Sequence, residues 1–229
     1  QRKTSINLSL AYLDWKGLKV NIIDTPGYSD FQGEIMGALR AADAAILVVC
    51  AASGVEIGTE NMWHFAQEHS LPLLIVVNKI DRENADFSKV LNQLQESFGK
   101  NIVAVGEEIV VGKEGKEEER EKLLEALADV DDELLEKYIN GEEISQDEID
   151  NALKEGIRER QIFPVLATSA FSGVGIEELL DAIVKYLPSP LERGSVKGKA
   201  AEGEEEVEII PGDGEPSCAF VFKTVTDPY

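Results

Sequence analysis

Cysteine, basic residues and long apolar runs are all scarce in this chain of 229 residues. Its two cysteines, Cys50 and Cys218, have no spacing that indicates a disulfide framework or a metal site. We therefore expect a protein of the reducing cytoplasm. No apolar stretch approaches the ~20 residues that span a bilayer, and no signal peptide is visible. These absences predict a protein that has no membrane partner.

Acidic residues outnumber basic ones, 44 against 22, and the formal net charge is −22. A surface this acidic is expected to exclude DNA. Contact with RNA would need local basic spots, further segments or protein partners. The acidic excess is largest in residues 107–160, where 20 acidic residues accompany 8 basic ones. This stretch is interpreted either as a solvated helical surface or as a docking face for a basic protein.

The most informative feature that is present is Asn78-Lys79-Ile80-Asp81, which follows the apolar run 73–77. Guanine offers two adjacent donors, N1–H and its exocyclic amine, and one ionised carboxylate such as Asp81 accepts both. Adenine has a lone pair at N1 and lacks this amine, so such a site leaves polar groups unpaired and rejects it. Asn78 is expected to tie the loop to its neighbours, with the Lys79 stem along the base. Alone, the four residues are equally compatible with a polar strand-to-helix turn.

Two further loops give this pattern its context. Asp24-Thr25-Pro26-Gly27 closes the apolar run that begins at Val20, and Thr168-Ser169-Ala170 closes the run 162–167. Ligands of open α/β sheets bind outside the carboxyl ends of the strands. Three polar loops that each end a strand therefore predict one shared ligand site.

Strands alternate with helices along the chain, which is typical of an α/β fold with a doubly wound, mostly parallel sheet. Strands are expected at 44–49, 73–77 and 162–167. A hairpin that spans 6–23 and turns at Gly17 is expected to add an antiparallel edge. Helices are expected at 31–42, at 59–69 with Thr59 as cap, at 85–98 ending before Gly99, and at 176–187.

The remaining sequence predicts less regular structure. Residues 102–111 are strand-like but contain Gly106, and residues 116–138 predict a long charged helix that is interrupted near Asp131. Ser145 opens a further helix through a capping box with Glu148. The polar stretch 194–214 is typical of a linker, and the alternation in 218–225 predicts an edge or barrel strand.

These motifs resemble the GTP-binding domain of translational GTPases, most closely that of elongation factor G. The resemblance covers most of the chain and rests on residues 21–27, 78–81, 169–170, 181–190 and 222–229. It implies a P-loop NTPase-type sheet with an inserted α-rich subdomain. The implied domains are the GTP-binding domain at 1–99 and 161–190, a shortened acidic insert at 100–160, a linker at 191–217, and the first strand of a β-barrel domain at 218–229.

Carried over residue by residue, the resemblance implies guanine contacts from Asn78, Lys79, Asp81, Ser169 and Ala170. It also implies that Asp24, Thr25, Pro26 and Gly27 form a phosphate-sensing switch. The Gly27 backbone N–H would touch the γ-phosphate, and Asp24 would hold a water bound to Mg²⁺. Ser5 falls where the family has a threonine that binds Mg²⁺, and is either a Mg²⁺ ligand or a plain strand-start residue.

The activity that the resemblance implies is GTP-driven movement of tRNA and mRNA on the ribosome by a monomeric factor. The implied ligands are GTP or GDP and Mg²⁺. The implied partners are the ribosome and, for the acidic insert, a ribosomal stalk protein.

Two departures from the family pattern bear on this activity. The chain contains no Gly-x-x-x-x-Gly-Lys-Ser/Thr phosphate cradle. Since residues 2–6 align with the end of the first switch, we expect the P-loop strand and helix to precede Gln1. Tyr28 stands where the family has a histidine that positions the attacking water. A phenol does not accept a proton at neutral pH as an imidazole does, so we expect impaired hydrolysis with intact binding.

Several alternatives stay open at this stage. Tyr28 could replace the histidine well and leave a fully active GTPase. The chain could belong to a nucleotide-binding module that docks on the ribosome and barely hydrolyses, or to a ribosomal protection or release factor. It could also be a structural fragment without activity of its own.

Overall fold

A parallel four-stranded sheet forms the centre of the computed structural model, which describes residues 5–111, 113–199 and 205–225. The strands in these ranges are β1 (Ser9–Trp15), β2 (Leu18–Asp24), β3 (Ala45–Cys50), β4 (Leu73–Asn78), β5 (Ile102–Ala104), β6 (Phe163–Thr168), β7 (Val196–Lys199) and β8 (Glu206–Ile209). The central sheet has the order β3-β4-β6-β5, and all of its pairs are parallel. The predicted α/β class is therefore confirmed.

Helices cover both faces of this sheet. Within the described ranges they are α1 (Gln32–Ala41), α2 (Ile57–Glu68), α3 (Phe87–Phe98), α4 (Glu107–Val110), α5 (Glu117–Ala128), α6 (Asp132–Asn140), α7 (Gln146–Arg158), α8 (Ile176–Tyr186) and α9 (Pro190–Arg193). Strand β4 is apolar on both sides because alternate residues enter two different cores. Ile75 packs in the core of α2 and α3, and Leu74 in the core of α5, α7 and α8. No helix among these residues has the length and apolar character that crossing a membrane requires.

The hairpin β1–β2 forms as predicted but does not join the central sheet. Lys16 and Gly17 take the turn with φ of +49° and +81°, the left-handed conformation of a two-residue hairpin turn. The Trp15 indole N–H and the Lys16 ammonium both bind a carboxylate oxygen of Asp181 at 2.7 Å. The expected antiparallel edge is wrong because these side chains fix the hairpin to α8, and its ladder hydrogen bonds are made within the pair β1–β2.

The regular structure of the described residues in the acidic region 100–160 consists of four helices and the short strand β5. The strand-like prediction for 102–111 holds only for β5, since α4 begins directly after Gly106. The charged helix predicted at 116–138 is divided between α5 and α6, and the Asp131 carboxylate caps α6 by accepting from the N–H groups of Glu133 and Leu134. The capping box of Ser145 and Glu148 is confirmed. At α2 the cap is Glu56, and Thr59 occupies the third helical position instead.

The carboxyl-terminal stretch differs most from prediction. The last residues of α9 and the antiparallel hairpin β7–β8 fall within the expected linker 191–217. Residues 218–225 form no strand; they lie against α1, where Lys223 binds Glu34. The strand prediction is wrong there because contacts to α1 replace a strand partner. Residues 1–4, 112, 200–204 and 226–229 lie outside the described ranges, and the domain boundaries stay predictions.

The connection between β6 and α8 depends on Gly175. Its φ is +73°, and a Cβ at this position would lie 2.2 Å from the carbonyl oxygen of Ala167. That oxygen belongs to a central strand, so it has little freedom to move away. Gly173 has a similar φ of +84° but open space around it.

Gly175→Ala is expected to lower the free energy of unfolding by about 2–4 kcal/mol, since it adds both backbone strain and a clash with the strand. The matched control Gly173→Ala adds strain alone and is expected to cost about 1 kcal/mol. Urea unfolding of both variants measures the difference. Equal losses would show that the close approach to Ala167 has no energetic weight.

Candidate guanine nucleotide site

The side-chain oxygen of Asn78 joins two loops at the carboxyl end of the sheet. Asn78 is the last residue of β4, and its Oδ1 accepts hydrogen bonds from the Lys79 N–H at 2.8 Å and the Ala170 N–H at 3.0 Å. The Thr168 hydroxyl donates to the same oxygen at 3.4 Å. Because β4 and β6 are neighbours and Asn78 pairs in register with Thr168, the two loops emerge side by side. The expected role of Asn78 as the tie between loops is confirmed.

The Asp81 carboxylate is oriented by the second loop. The Ser169 hydroxyl, which is fully buried, donates to Asp81 Oδ1. The Ser172 N–H donates to the Ser169 hydroxyl oxygen at 3.1 Å and fixes its position. The Asp81 residue itself is exposed, so a carboxylate that is held on one side remains accessible to a ligand.

The backbone of both loops is constrained as well. Lys79 has a φ of +67°, a left-handed conformation that non-glycine residues adopt rarely. The Ile80 N–H donates to the Thr168 carbonyl at 3.2 Å, and the Ser169 N–H donates to the Val174 carbonyl at 2.8 Å. These bonds hold the loops before any ligand arrives, which reduces the ordering cost of binding.

Sequence reasoning missed two contributors to this site. Phe171 directly follows Ala170 and is 94% exposed, so it presents an apolar surface next to the loop that carries Ser169. Gly175 is required for the turn into α8. The signal for both was the composition Ala-Phe-Ser-Gly-Val-Gly after β6, which combines an aromatic with closely spaced glycines.

Cys50 ends β3 beside Asn78 in the register of the sheet. Partial burial acts to raise the pKa of its thiol, but hydrogen bonds from the backbone N–H groups of Ala52 and Ser53 outweigh this effect. The nearby Lys79 ammonium adds to the lowering. The net result is a pKa of the Cys50 thiol below its usual value.

The second cluster lies at the end of β2. The Ser5 hydroxyl donates to Asp24 Oδ2 at 3.0 Å, so the two residues expected near Mg²⁺ are adjacent. Thr25 is half-buried, Pro26 is buried and Gly27 is exposed, so the backbone of Gly27 is open to a ligand. Within the described residues, no hydrogen bond links this cluster to the loops at Asn78 and Ser169.

The oxygens of Ser5 and Asp24 fit the chemistry of Mg²⁺. This ion binds through one or two protein oxygens and completes its shell with phosphate oxygens and waters. No group of three or more histidine, cysteine or acidic side chains that could hold a metal occurs in the described part of the chain. Ser5 and Asp24 would thus supply the one or two hard oxygen ligands that Mg²⁺ takes from a protein when it is bound with a nucleotide.

Tyr28 begins the short 3-10 turn Ser29–Phe31 that leads into α1. Its carbonyl accepts from the Phe31 N–H at 3.1 Å, and the residue is 58% exposed. The side chain is thus available at the end of the Asp24–Gly27 loop and is not used as a core residue. Its orientation toward a reacting water stays a prediction.

Comparison with known proteins agrees with this geometry. A family model described as the elongation factor Tu GTP-binding domain matches residues 1–189. A protein from Thermus thermophilus, known from its crystal structure, is similar with a TM-score of 0.76 and 33% sequence identity. The match covers 83% of this chain and 33% of that one, so the chain spans about a third of the length of this relative. The chain belongs to the family of elongation factor Tu-type GTP-binding domains, the nucleotide-binding units of translational GTPases.

Proposed function

We propose that this chain is the GTP-binding part of a cytoplasmic translation factor of the elongation factor G type, which uses GTP to drive movement of tRNA and mRNA on the ribosome. The observation that carries the proposal is that the Asn78 side chain links two loops. In this arrangement Asp81, held by Ser169, presents a carboxylate beside Lys79.

Guanine recognition would follow from this arrangement. The remaining lone pairs of the Asp81 carboxylate would accept hydrogen bonds from the N1–H and the exocyclic amine of the base. The Ser169 hydroxyl already donates a hydrogen bond to Oδ1 of Asp81. This bond limits the directions from which the carboxylate can accept further hydrogen bonds. Lys79 is exposed, and its aliphatic stem would cover one face of the ring. ATP would leave Asp81 without these donors, so it would be rejected.

Phosphate sensing would involve Ser5, Asp24 and Gly27. Mg²⁺ bound with the nucleotide would neutralise charge on the phosphates. Asp24 and Ser5 would orient toward this ion, and the exposed Gly27 backbone would approach the γ-phosphate. Loss of that phosphate would release both segments, which is a known type of order–disorder switch in nucleotide-binding proteins.

The acidic insert would provide the contact with a ribosomal stalk protein. Helix α6 supports this role because Leu135 and Ile139, four residues apart on one face, are both exposed. Acidic residues surround these two side chains in the sequence. A basic partner with an apolar surface would match both features.

A second candidate function is a GTP-binding ribosomal factor that hydrolyses GTP slowly. Tyr28 favours it, because an exposed phenol stands where a proton-accepting imidazole is expected. A phenol can orient a water through its hydroxyl but is a weaker proton acceptor than an imidazole, so hydrolysis would be impaired. Binding would persist, because the proposed nucleotide contacts come from other residues.

The variant Asp81→Asn tests the proposed guanine site. Its amide keeps one acceptor for N1–H but points a donor at the exocyclic amine of guanine. Xanthine carries a carbonyl at that position, which the amide donor would satisfy. We expect the affinity of the full-length protein for GTP to fall by at least about 100-fold while that for xanthosine triphosphate rises. Competition against a fluorescent nucleotide measures both changes.

Asp86→Asn is the matched control for this experiment. Asp86 caps α3 by accepting from the Lys89 N–H at 2.9 Å, and the substitution makes the same chemical change outside the two base loops. It is expected to leave nucleotide preference unaltered. An Asp81→Asn variant that loses both nucleotides equally, or neither, would contradict the proposed role of this carboxylate.

The variant Tyr28→His tests the second candidate. If an imidazole positions water better than the phenol, single-turnover GTP hydrolysis on ribosomes should rise by about 10-fold or more, within the range of positioned acid–base groups. The affinity for a non-hydrolysable GTP analogue should stay the same. An unchanged or slower rate would show that Tyr28 already performs this task, and the slow-hydrolysis candidate would be rejected.

A further inference from the structure

Leu8, Glu34 and Lys223 form a cluster that joins distant parts of the chain. The cluster lies close in sequence to Ser5 and to the Asp24–Gly27 loop, the segments proposed to sense phosphate. Glu34 Oε2 on α1 accepts the Leu8 N–H at 2.8 Å and the Lys223 ammonium at 3.0 Å. The same ammonium donates to the Leu8 carbonyl at 2.9 Å. Both polar groups of the Leu8 backbone are thus satisfied by one ion pair, and Leu8 itself is buried.

The location of this cluster connects it to the nucleotide site. Leu8 lies three residues after Ser5, which binds Asp24. Glu34 lies on the helix that follows Gly27 and Tyr28. The two segments expected to sense the γ-phosphate therefore meet at the Glu34–Lys223 pair.

Lys223 belongs to segment 218–225, which packs along α1. A Cβ at Gly37 would lie 2.7 Å from the Phe222 carbonyl oxygen, so the segment approaches the helix backbone closely at this glycine. The Arg40 guanidinium lies 5.4 Å from the centre of the Phe220 ring. Movement of Leu8 or α1 would consequently displace segment 218–225.

The electrostatics of the pair suit a contact that forms and breaks. The Leu8 N–H, and then the Lys223 ammonium, lower the pKa of the Glu34 carboxyl, so the pair is charged at neutral pH. The side chains are 31% and 21% exposed for Glu34 and Lys223. Water can reach both groups, and a charge-assisted contact of this kind is strong when formed but not prohibitive to lose.

We infer that Glu34 and Lys223 form a latch that holds the Leu8 backbone against α1 in the GTP state and releases it in the GDP state. The inference rests on the proposed function. Without a γ-phosphate, the segment that carries Ser5 has no ligand to order it, and the Leu8 backbone leaves the pair. Glu34 and Lys223 are positioning residues here, because they act on the nucleotide through Leu8 and not by contact.

A comparison of two nucleotides tests the latch in the full-length protein with Mg²⁺. Lys223→Met keeps most of the aliphatic stem but removes the donor to Leu8. It is expected to lower the affinity for a non-hydrolysable GTP analogue by about 5–30-fold and the affinity for GDP by less than about 2-fold. The difference lies within the range of ordinary coupling between sites. A purely structural role would weaken both nucleotides alike.

Lys197→Met is the matched control. Lys197 also forms an ion pair, with Glu206 at 3.5 Å, but its side chain is 80% exposed and lies on β7. This variant makes the same chemical change away from Leu8 and α1. It is expected to bind both nucleotides as the wild type does.

The charge-exchanged variant, which combines Glu34→Lys with Lys223→Glu, separates the latch from a simple ion pair. Opposite charges would still face each other. The new ammonium on α1 could not accept from the Leu8 N–H, and the new carboxylate on segment 218–225 could not donate to the Leu8 carbonyl. We expect the exchange to leave the analogue as weakly bound as in Lys223→Met. Recovery of analogue affinity would overturn the latch, because charge alone would then suffice.

Hydrogen exchange of the Leu8 amide supplies a readout that does not depend on binding. The amide is expected to be protected in wild-type protein with the analogue, and to exchange at least about 10-fold faster with GDP or in Lys223→Met. Equal protection with both nucleotides would overturn the latch while leaving the proposed function intact. If wild-type protein bound neither nucleotide, the proposed function would fail, and nucleotide selection by the latch would fail with it.

Discussion

The Asn78 side-chain oxygen accepts backbone hydrogen bonds from two loops that are far apart in sequence, and the geometry of the base site depends on it. An amide oxygen with two lone pairs suits this task, since it can serve two donors in one plane. Without it, the Ala170 N–H would lose its acceptor, and the loop that carries Ser169 would lose a contact that holds it beside Asp81. The position of Ser169 beside Asp81 therefore depends on two strands in register.

The parallel sheet makes this meeting of loops possible. Strands β4 and β6 are neighbours, and residues 78 and 168 pair in register. The loops that follow these two residues therefore begin side by side at the same end of the sheet. The switch cluster at Ser5 and Asp24 is held differently. It lies at the end of a hairpin that is attached to α8 through Asp181 and, close to Leu8, to α1 through Glu34. Loops held by backbone hydrogen bonds and a cluster held by side-chain contacts differ in how easily each can move, which suits the proposed role of the Ser5–Asp24 cluster as a nucleotide sensor.

Local sequence signals predicted much of this architecture, and long-range contacts account for the rest. The buried run of β4 and the capping box of Ser145 were predictable because their causes lie within a few residues. The meeting of the loops at Asn78 and Ser169 was predictable because each loop closes a strand of the parallel sheet. The docking of Trp15 on Asp181 spans 166 residues, and the packing of segment 218–225 on α1 spans almost the whole chain. No pattern within one window specifies such pairs, so the hairpin and the last segment were placed wrongly.

The central claim is that a carboxylate at position 81, held between two loops, distinguishes one purine from the other. Isothermal calorimetry of the full-length protein with GTP and with ATP, both in excess Mg²⁺, tests it most directly. The account predicts that GTP binds at least about 100-fold more tightly than ATP, since only guanine satisfies the carboxylate. Equal affinity for the two nucleotides, or binding of neither, would contradict it.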